Sequence, residues 1–316
     1  MDKKEKSFRL LELHEVLNKG AFVSKTELAN LFCVSEKTIQ RDIDELRAYL
    51  AEKYEADTSI CYDKSTNSYM LLRSERDWLT NEEVLAICKI ILESRAFPRV
   101  ETKSLVDKLL LHAAPKEREF VRHMLKSELV NFVELKHKKN LLPLLWNVSR
   151  LIHGKEITTF DYTRTDNKTG ERKTKPVAVL FYEFYFYLLA YPADDERADT
   201  TFPIVYRLDR IRNIKGTGEL FVIPYDKKFS EGEFRQRAQF MHPGPLLRIT
   251  FKFNHSFIDN VLDRLPTARV IEENDGTYVI TAEVYGRGID IWLRSQGELI
   301  SDLKMIELPS RSVLNN

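Results

Sequence analysis

The apolar positions of the first fifty residues follow a helical period. In 6–19, Phe8, Leu11, Leu13, Val16 and Leu17 fall near one stripe, and Gly20 stands where a helix stop is expected. Ser24 and Glu27 form a capping-box pattern opening a short helix with Leu28 and Leu31 inward. Ser35 is placed to cap the next helix, in which Ile39, Ile43, Leu46 and Leu50 recur at i, i+4, i+7 and i+11. Period-two stretches at 59–63 and 68–72, joined by Lys64-Ser65-Thr66-Asn67, predict a hairpin.

Helical patterning returns from Thr80, which pairs with Glu83 as a second capping box. Val84, Leu85, Ile87, Ile90, Ile91 and Leu92 are expected on its apolar face. Pro98 interrupts the pattern, and 105–111 and 120–129 resume it. The run Lys136-His137-Lys138-Lys139 reads as a solvated face. Beyond about residue 155 the period shifts toward two. Strands are expected at 157–164, 175–181, 184–191 and 202–206, with turns at 166–170 and 192–195. The last part reads strand (246–253), helix (257–265), hairpin around Asn274-Asp275-Gly276, helix (289–300) and strand (304–308). That β-α-β-β-α-β order suggests a ferredoxin-like sandwich. An α+β multidomain chain follows: 1–75 a winged helix-turn-helix, 76–150 a helical linker and dimerisation region, 151–228 a small β-barrel, and 240–316 a C-terminal sandwich.

Composition narrows the class. The 316 residues are 43% hydrophobic and 31% charged, with net charge +1, so a basic surface has to be local. No apolar run reaches a membrane span, and the polar start does not read as a secretory signal. Cys33, Cys61 and Cys88 are widely spaced and read as reduced thiols of a cytoplasmic protein. No phosphate loop, G-x-S-x-G elbow, H-E-x-x-H helix or histidine ligand spacing occurs. The chain is therefore expected to be no enzyme and to need no cofactor or metal.

The chemistry lies in two places. At about 100° per residue, Lys37 and Arg41 point away from the apolar stripe, flanked by Thr38 and Gln40, with the acids Asp42, Asp44 and Glu45 further along. A helix whose first turns are basic and polar suits the major groove of duplex DNA. Ser35, Lys37, Thr38, Gln40 and Arg41 are the candidate DNA contacts, with Lys64 at the wing tip on a phosphate. The string Val34-Ser35-x-x-Thr38-Ile39-x-Arg41-Asp42-Ile43 resembles the recognition helix of DeoR-like regulators. That resemblance makes Asp42 an orienting residue rather than a base reader.

Phe186-Tyr187-Leu188-Leu189-Ala190-Tyr191 and Arg207-Leu208-Asp209-Arg210-Ile211 resemble the two signature elements of WYL domains, with Tyr162 and Pro176 also fitting. The resemblance implies an Sm-like fold. It also implies a pocket of Tyr162, Tyr187, Arg207 and Arg210 for an oligonucleotide or nucleotide-like effector. Phe186 stands where the family carries tryptophan, and Val177-Ala178 follow the proline where relatives are polar. The same arginines can instead pair with Asp209, and the tyrosines can be strand core. Gly288-x-x-x-Trp292-Leu293-x-Ser295-x-Gly297 resembles the extension found after WYL domains, which adds Arg287 and Arg294 as candidates for a composite effector site. The expectation is a homodimeric, ligand-responsive transcription regulator. The competing reading is a single-stranded nucleic-acid-binding module.

Overall fold

A computed structural model describes residues 3–18, 22–54, 58–64, 66–73, 79–193, 202–223 and 229–309. Gly20, Ser65, Asp194 and Asp195, used in the turn expectations, lie outside the described residues. The chain divides into two compact units, Met1–Arg95 with Arg99–Glu134, and Ala96–Pro98 with Leu135–Asn316.

In the first unit, α1 (Lys3–Asn18), α2 (Lys25–Leu31) and α3 (Glu36–Tyr54) are followed by the antiparallel strands β1 (Thr58–Asp63) and β2 (Ser68–Arg73). Val23 adds an isolated antiparallel bridge to Tyr69, with N–H···O bonds in both directions, which ties the segment before α2 to the hairpin. The α3 stripe is as the spacing predicts: Ile39, Ile43, Leu46 and Leu50 are all buried. Each such side chain contributes about 1.5–3 kcal/mol by leaving water.

The other two helices differ from expectation. In α1 the inward positions are Arg9, Leu13 and Leu17, while Phe8 and Leu11 are 70% and 68% exposed. In α2 the buried pair is Leu28 and Ala29, and Leu31 faces solvent. The α1 stripe turns because Arg9 is itself a core residue. Its Nε and Nη2 donate to the two carboxylate oxygens of Asp42, and the side chains are 6% and 1% exposed.

Three further helices, α4 (Asn81–Ser94), α5 (Arg99–Leu110) and α6 (Pro115–Val130), share a second core. Thr80 forms the capping box with Glu83. Val84, Cys88 and Leu92 make the buried stripe of α4, and Ile90 is exposed, contrary to the sequence expectation. Cysteine behaves here as a small apolar residue.

In the second unit, α7 (Leu142–His153) packs on a five-stranded antiparallel sheet. Its strands are β3 (Glu156–Thr163), β4 (Thr169–Tyr182), β5 (Tyr185–Pro192), β6 (Ile204–Arg207) and β7 (Ile211–Leu220), ordered β6-β5-β4-β3-β7. A one-turn 3-10 helix, Leu208–Arg210, joins β6 to β7. On one face Phe160, Leu188, Ala190, Tyr206 and Ile211 share a core with Val148 of α7 and Leu208 of the 3-10 turn. The other carries Ala178, Leu180 and Leu189 and is covered by Phe234 of α8 (Glu231–Arg237), with Ala238 and Met241 following.

The chain continues as β8 (Leu246–Asn254), α9 (Asp259–Arg264), β9 (Arg269–Asn274), β10 (Thr277–Tyr285), α10 (Ile289–Ser295) and β11 (Ile300–Glu307). The strands order β11-β8-β10-β9, all antiparallel, and α9 and α10 share one core against them. Asp275 and Gly276 both have positive φ, as a two-residue hairpin of this type requires. The second helix ends at Ser295, short of the expected residue 300, because Gly297 turns left-handed and β11 begins at Ile300.

Gly288 has a steric reason for being glycine. A Cβ there would lie 2.0 Å from the Gln239 carbonyl oxygen, a backbone atom. Gly288→Ala is therefore expected to destabilise this unit by about 1–3 kcal/mol, the usual range for overpacking. A thermal melt showing no loss would count against that close approach.

Candidate nucleic-acid interface and basic cleft

The first candidate surface is the N-terminal half of α3. Val34 carries the turn into it, its N–H bonded to the Ala29 carbonyl. Ser35 Oγ accepts from the Thr38 N–H at 3.2 Å and lies 3.0 Å from Thr38 Oγ1, so both hydroxyls are used in starting the helix. Lys37 and Arg41 are exposed on the outward side, and Lys64 is exposed at the wing. Among the described residues none of these three makes a side-chain hydrogen bond or ion pair.

Gln40 is placed differently from its neighbours. Its Oε1 accepts from Lys25 Nζ at 3.1 Å and from the Tyr69 hydroxyl at 2.9 Å, and its Nε2 donates to Asp44 at 3.0 Å. Arg47 spans the same place: Nε donates to the Ile60 carbonyl at 2.9 Å and the guanidinium sits 5.5 Å from the Tyr69 ring centroid. The strand β2 is thus tied to α3 through polar side chains. Nothing in the helical period marks Lys25, Tyr69 or Arg47, since the tie exists only once the hairpin folds back. Asp42, expected to orient rather than read, is buried against Arg9.

The second candidate surface does not assemble as the sequence suggests. Tyr162 packs on the α7 face of the sheet, 4.9 Å from the Tyr206 ring, and its hydroxyl accepts the Arg207 N–H at 3.3 Å. Tyr187 packs on the opposite face, and Arg207 stands directly across from it in register. Arg207 lies 3.4 Å above the Tyr185 ring and donates to both oxygens of the buried Asp209 carboxylate at 3.0 and 2.9 Å. Its charge is therefore spent inside the fold. Arg287 donates to Asp290 at 2.9 Å, and Arg294 is exposed on the C-terminal helix α10.

Arg210 does line a cleft, of about 230 Å³. Its walls are Lys139, Arg164, Asp209, Arg210 and Arg212, with Thr163 at the end of β3 and Thr165 and Asn167 of the β3–β4 turn. Lys139, expected on a solvated face, instead donates to the Asp209 carbonyl. Burial holds its ammonium below the ordinary lysine range, and nearby Arg212 acts in the same direction.

Burial pushes the Tyr187 phenol from 10.0 up to about 12, with Arg207 opposing. The folded protein holds this proton more tightly than the unfolded chain. Stability from that burial is complete below pH 10 and is lost as pH rises toward 12. Tyr187→Phe is expected to move the alkaline unfolding midpoint upward in a circular-dichroism pH titration; an unchanged midpoint would contradict this. No metal-binding cluster and no helix long and apolar enough to cross a membrane occur among the described residues.

Residues 9–55 match the HTH domain family and residues 143–215 the WYL domain family. Across 234 residues the chain is 24% identical to "Uncharacterized HTH-type transcriptional regulator YobV" of Bacillus subtilis (strain 168), covering 70% of this chain and 71% of that protein. Among solved structures it is similar to proteasome accessory factor B/C (PafBC) of Arthrobacter aurescens, at 17% identity and TM-score 0.28, covering 94% of this chain and 44% of that one. It is also similar to a CRISPR Cas-related protein, at 13% identity and TM-score 0.34, covering 88% and 70%. The chain thus spans less than half the length of the PafBC chain. It carries an HTH domain followed by a WYL domain.

Proposed function

We propose that this HTH- and WYL-domain chain is a sequence-specific, ligand-responsive transcription regulator that binds duplex DNA as a homodimer. The observation that carries the DNA part is the outward face of α3. Lys37 and Arg41 stand on its first turns, with Lys64 on the adjoining wing, all exposed and unengaged by the described residues of the fold. Helices presented this way place base-reading side chains in the major groove while a wing positions on phosphate. A regulator relative matched over most of both chains supports the same reading. Ser35 and Thr38 act by starting the helix, and Gln40 by fixing it against the hairpin.

The strand order β6-β5-β4-β3-β7 behind an N-terminal helix supports an Sm-like sheet for the WYL part. The order β11-β8-β10-β9 supports a ferredoxin-like C-terminal part. The domains are read as 1–75, 76–150, 151–228 and 240–316, with α7 belonging structurally to the sheet it covers. An effector changes DNA binding only by favouring one of two dimer arrangements over the other. The protein acts without a catalytic step and in the cytoplasm.

The test is fluorescence anisotropy against duplex from upstream of the protein's own gene, with a scrambled duplex at the same salt. Preference for the upstream duplex is expected. Tight binding to single strands alone, with no duplex preference, would favour the single-stranded-binding module instead.

A further inference from the structure

We infer that Glu36, the first residue of α3, selects a cytosine in the major groove by accepting a hydrogen bond from its exocyclic amino group, and that Thr26 of α2 is the positioning residue for that carboxylate. This deepens the duplex-binding reading above and rests on it, adding a residue outside the set drawn from the sequence.

The placement follows from the helical period. At about 100° per residue, Glu36 stands one step round the helix from Lys37 and on the same side as Gln40, four residues on. Glu36, Lys37 and Arg41 are all exposed at this end of α3. The Thr26 hydroxyl donates to Glu36 Oε1 at 2.8 Å, and Lys25 Nζ donates to Gln40 Oε1 at 3.1 Å, so two neighbouring side chains of α2 hold this side of α3. The capping box of Ser24 and Glu27 fixes the helical turn that carries both. A carboxylate offers about four lone-pair sites, so the single bond from Thr26 leaves acceptor capacity for a donor from outside.

The sign of the charge points to selection rather than grip. An exposed carboxylate beside Lys37 reduces the attraction to phosphate that supplies sequence-independent affinity. In the groove the same group is matched by the amino group of cytosine and repelled by N7 and O6 of guanine and O4 of thymine. Its contribution is therefore a difference between duplexes, obtained partly by penalising the wrong ones. The Thr26 bond restricts the glutamate side chain before DNA arrives, so less rotamer freedom is lost on contact. An acid in the first turn also favours the helix dipole, but that effect is the same whichever base pair is bound.

In the experiment the full chain selects from a pool of randomised duplexes, and the enriched duplex is then varied one base pair at a time in anisotropy titrations at fixed salt. Wild type, Glu36→Gln, Thr26→Val and Thr26→Ser are compared, with a scrambled duplex for each. At one base pair the wild type is expected to bind cytosine at least about tenfold better than guanine or thymine. Glu36→Gln is expected to lose that preference and to bind the scrambled duplex about two- to threefold more tightly, since a negative charge is gone. Thr26→Val is expected to weaken the preference at the same pair without tightening the scrambled duplex, and Thr26→Ser to restore it. A Glu36→Gln profile equal to wild type at every pair, or equal weakening on preferred and scrambled duplexes, would overturn the assignment of Glu36. Thr26→Val indistinguishable from wild type would overturn the positioning role. A wild type that enriches no duplex sequence removes the regulator reading and this inference with it, whereas a selective wild type whose profile survives Glu36→Gln removes the inference alone.

Discussion

Arg41→Ala is expected to weaken binding to the preferred duplex by about 1–3 kcal/mol, roughly fivefold to 150-fold, and to erase most of the preference over a scrambled duplex. Arg41 is exposed on the first turns of α3, where no described acid holds it. A guanidinium there can address a base edge through two donors, so its loss removes discrimination as well as charge. Lys37→Ala, by contrast, is expected to weaken all duplexes alike and to flatten the salt dependence by about one phosphate contact. Anisotropy titrations at two salt concentrations separate the pair. Equal behaviour of Arg41→Ala and Lys37→Ala would mean that Arg41 touches only the backbone.

The largest stability effect is expected at the ion pair between α1 and α3. Arg9→Ala leaves the Asp42 carboxylate, 1% exposed, without its bidentate partner. Removing one member of such a pair costs about 3–5 kcal/mol. That is a large share of the roughly 5–15 kcal/mol that holds a domain folded. Urea unfolding followed by duplex binding and circular dichroism should both show the loss. Arg9→Met combined with Asp42→Leu, which fills the site with apolar atoms, is expected to cost less than Arg9→Ala alone. The opposite order would mean that the pair itself, rather than the penalty for an unpaired charge, stabilises the domain.

The α3 stripe and both capping boxes were legible because each depends on residues a few positions apart. Arg9 was not, since an apolar period cannot register a buried guanidinium whose partner lies 33 residues on. The period does not reveal β7, because Ile211–Leu220 reads Ile-Arg-Asn-Ile-Lys-Gly-Thr-Gly-Glu-Leu, a mostly exposed edge with two glycines. Nor does it reveal α8, in which Phe234 is the one large apolar residue. The signature residues of the WYL elements were found, but motif letters do not say which face of a sheet a side chain takes. Tyr162 and Tyr187 parted for that reason, and Asp209 withdrew Arg207 from the cleft. Lys139 came in from a basic run that looked like ordinary surface.

The tie through Gln40, Tyr69 and Arg47 gives α3 and its hairpin the properties of a caliper. The tie holds α3 to β1 and β2 by three side chains, so the distance from Arg41 to Lys64 is set by the protein. For a duplex bound as proposed, any mismatch between that opening and the groove has to be met by bending or narrowing the DNA. Base steps that no side chain touches would then still be selected, because stiff steps resist the adjustment and flexible ones yield to it.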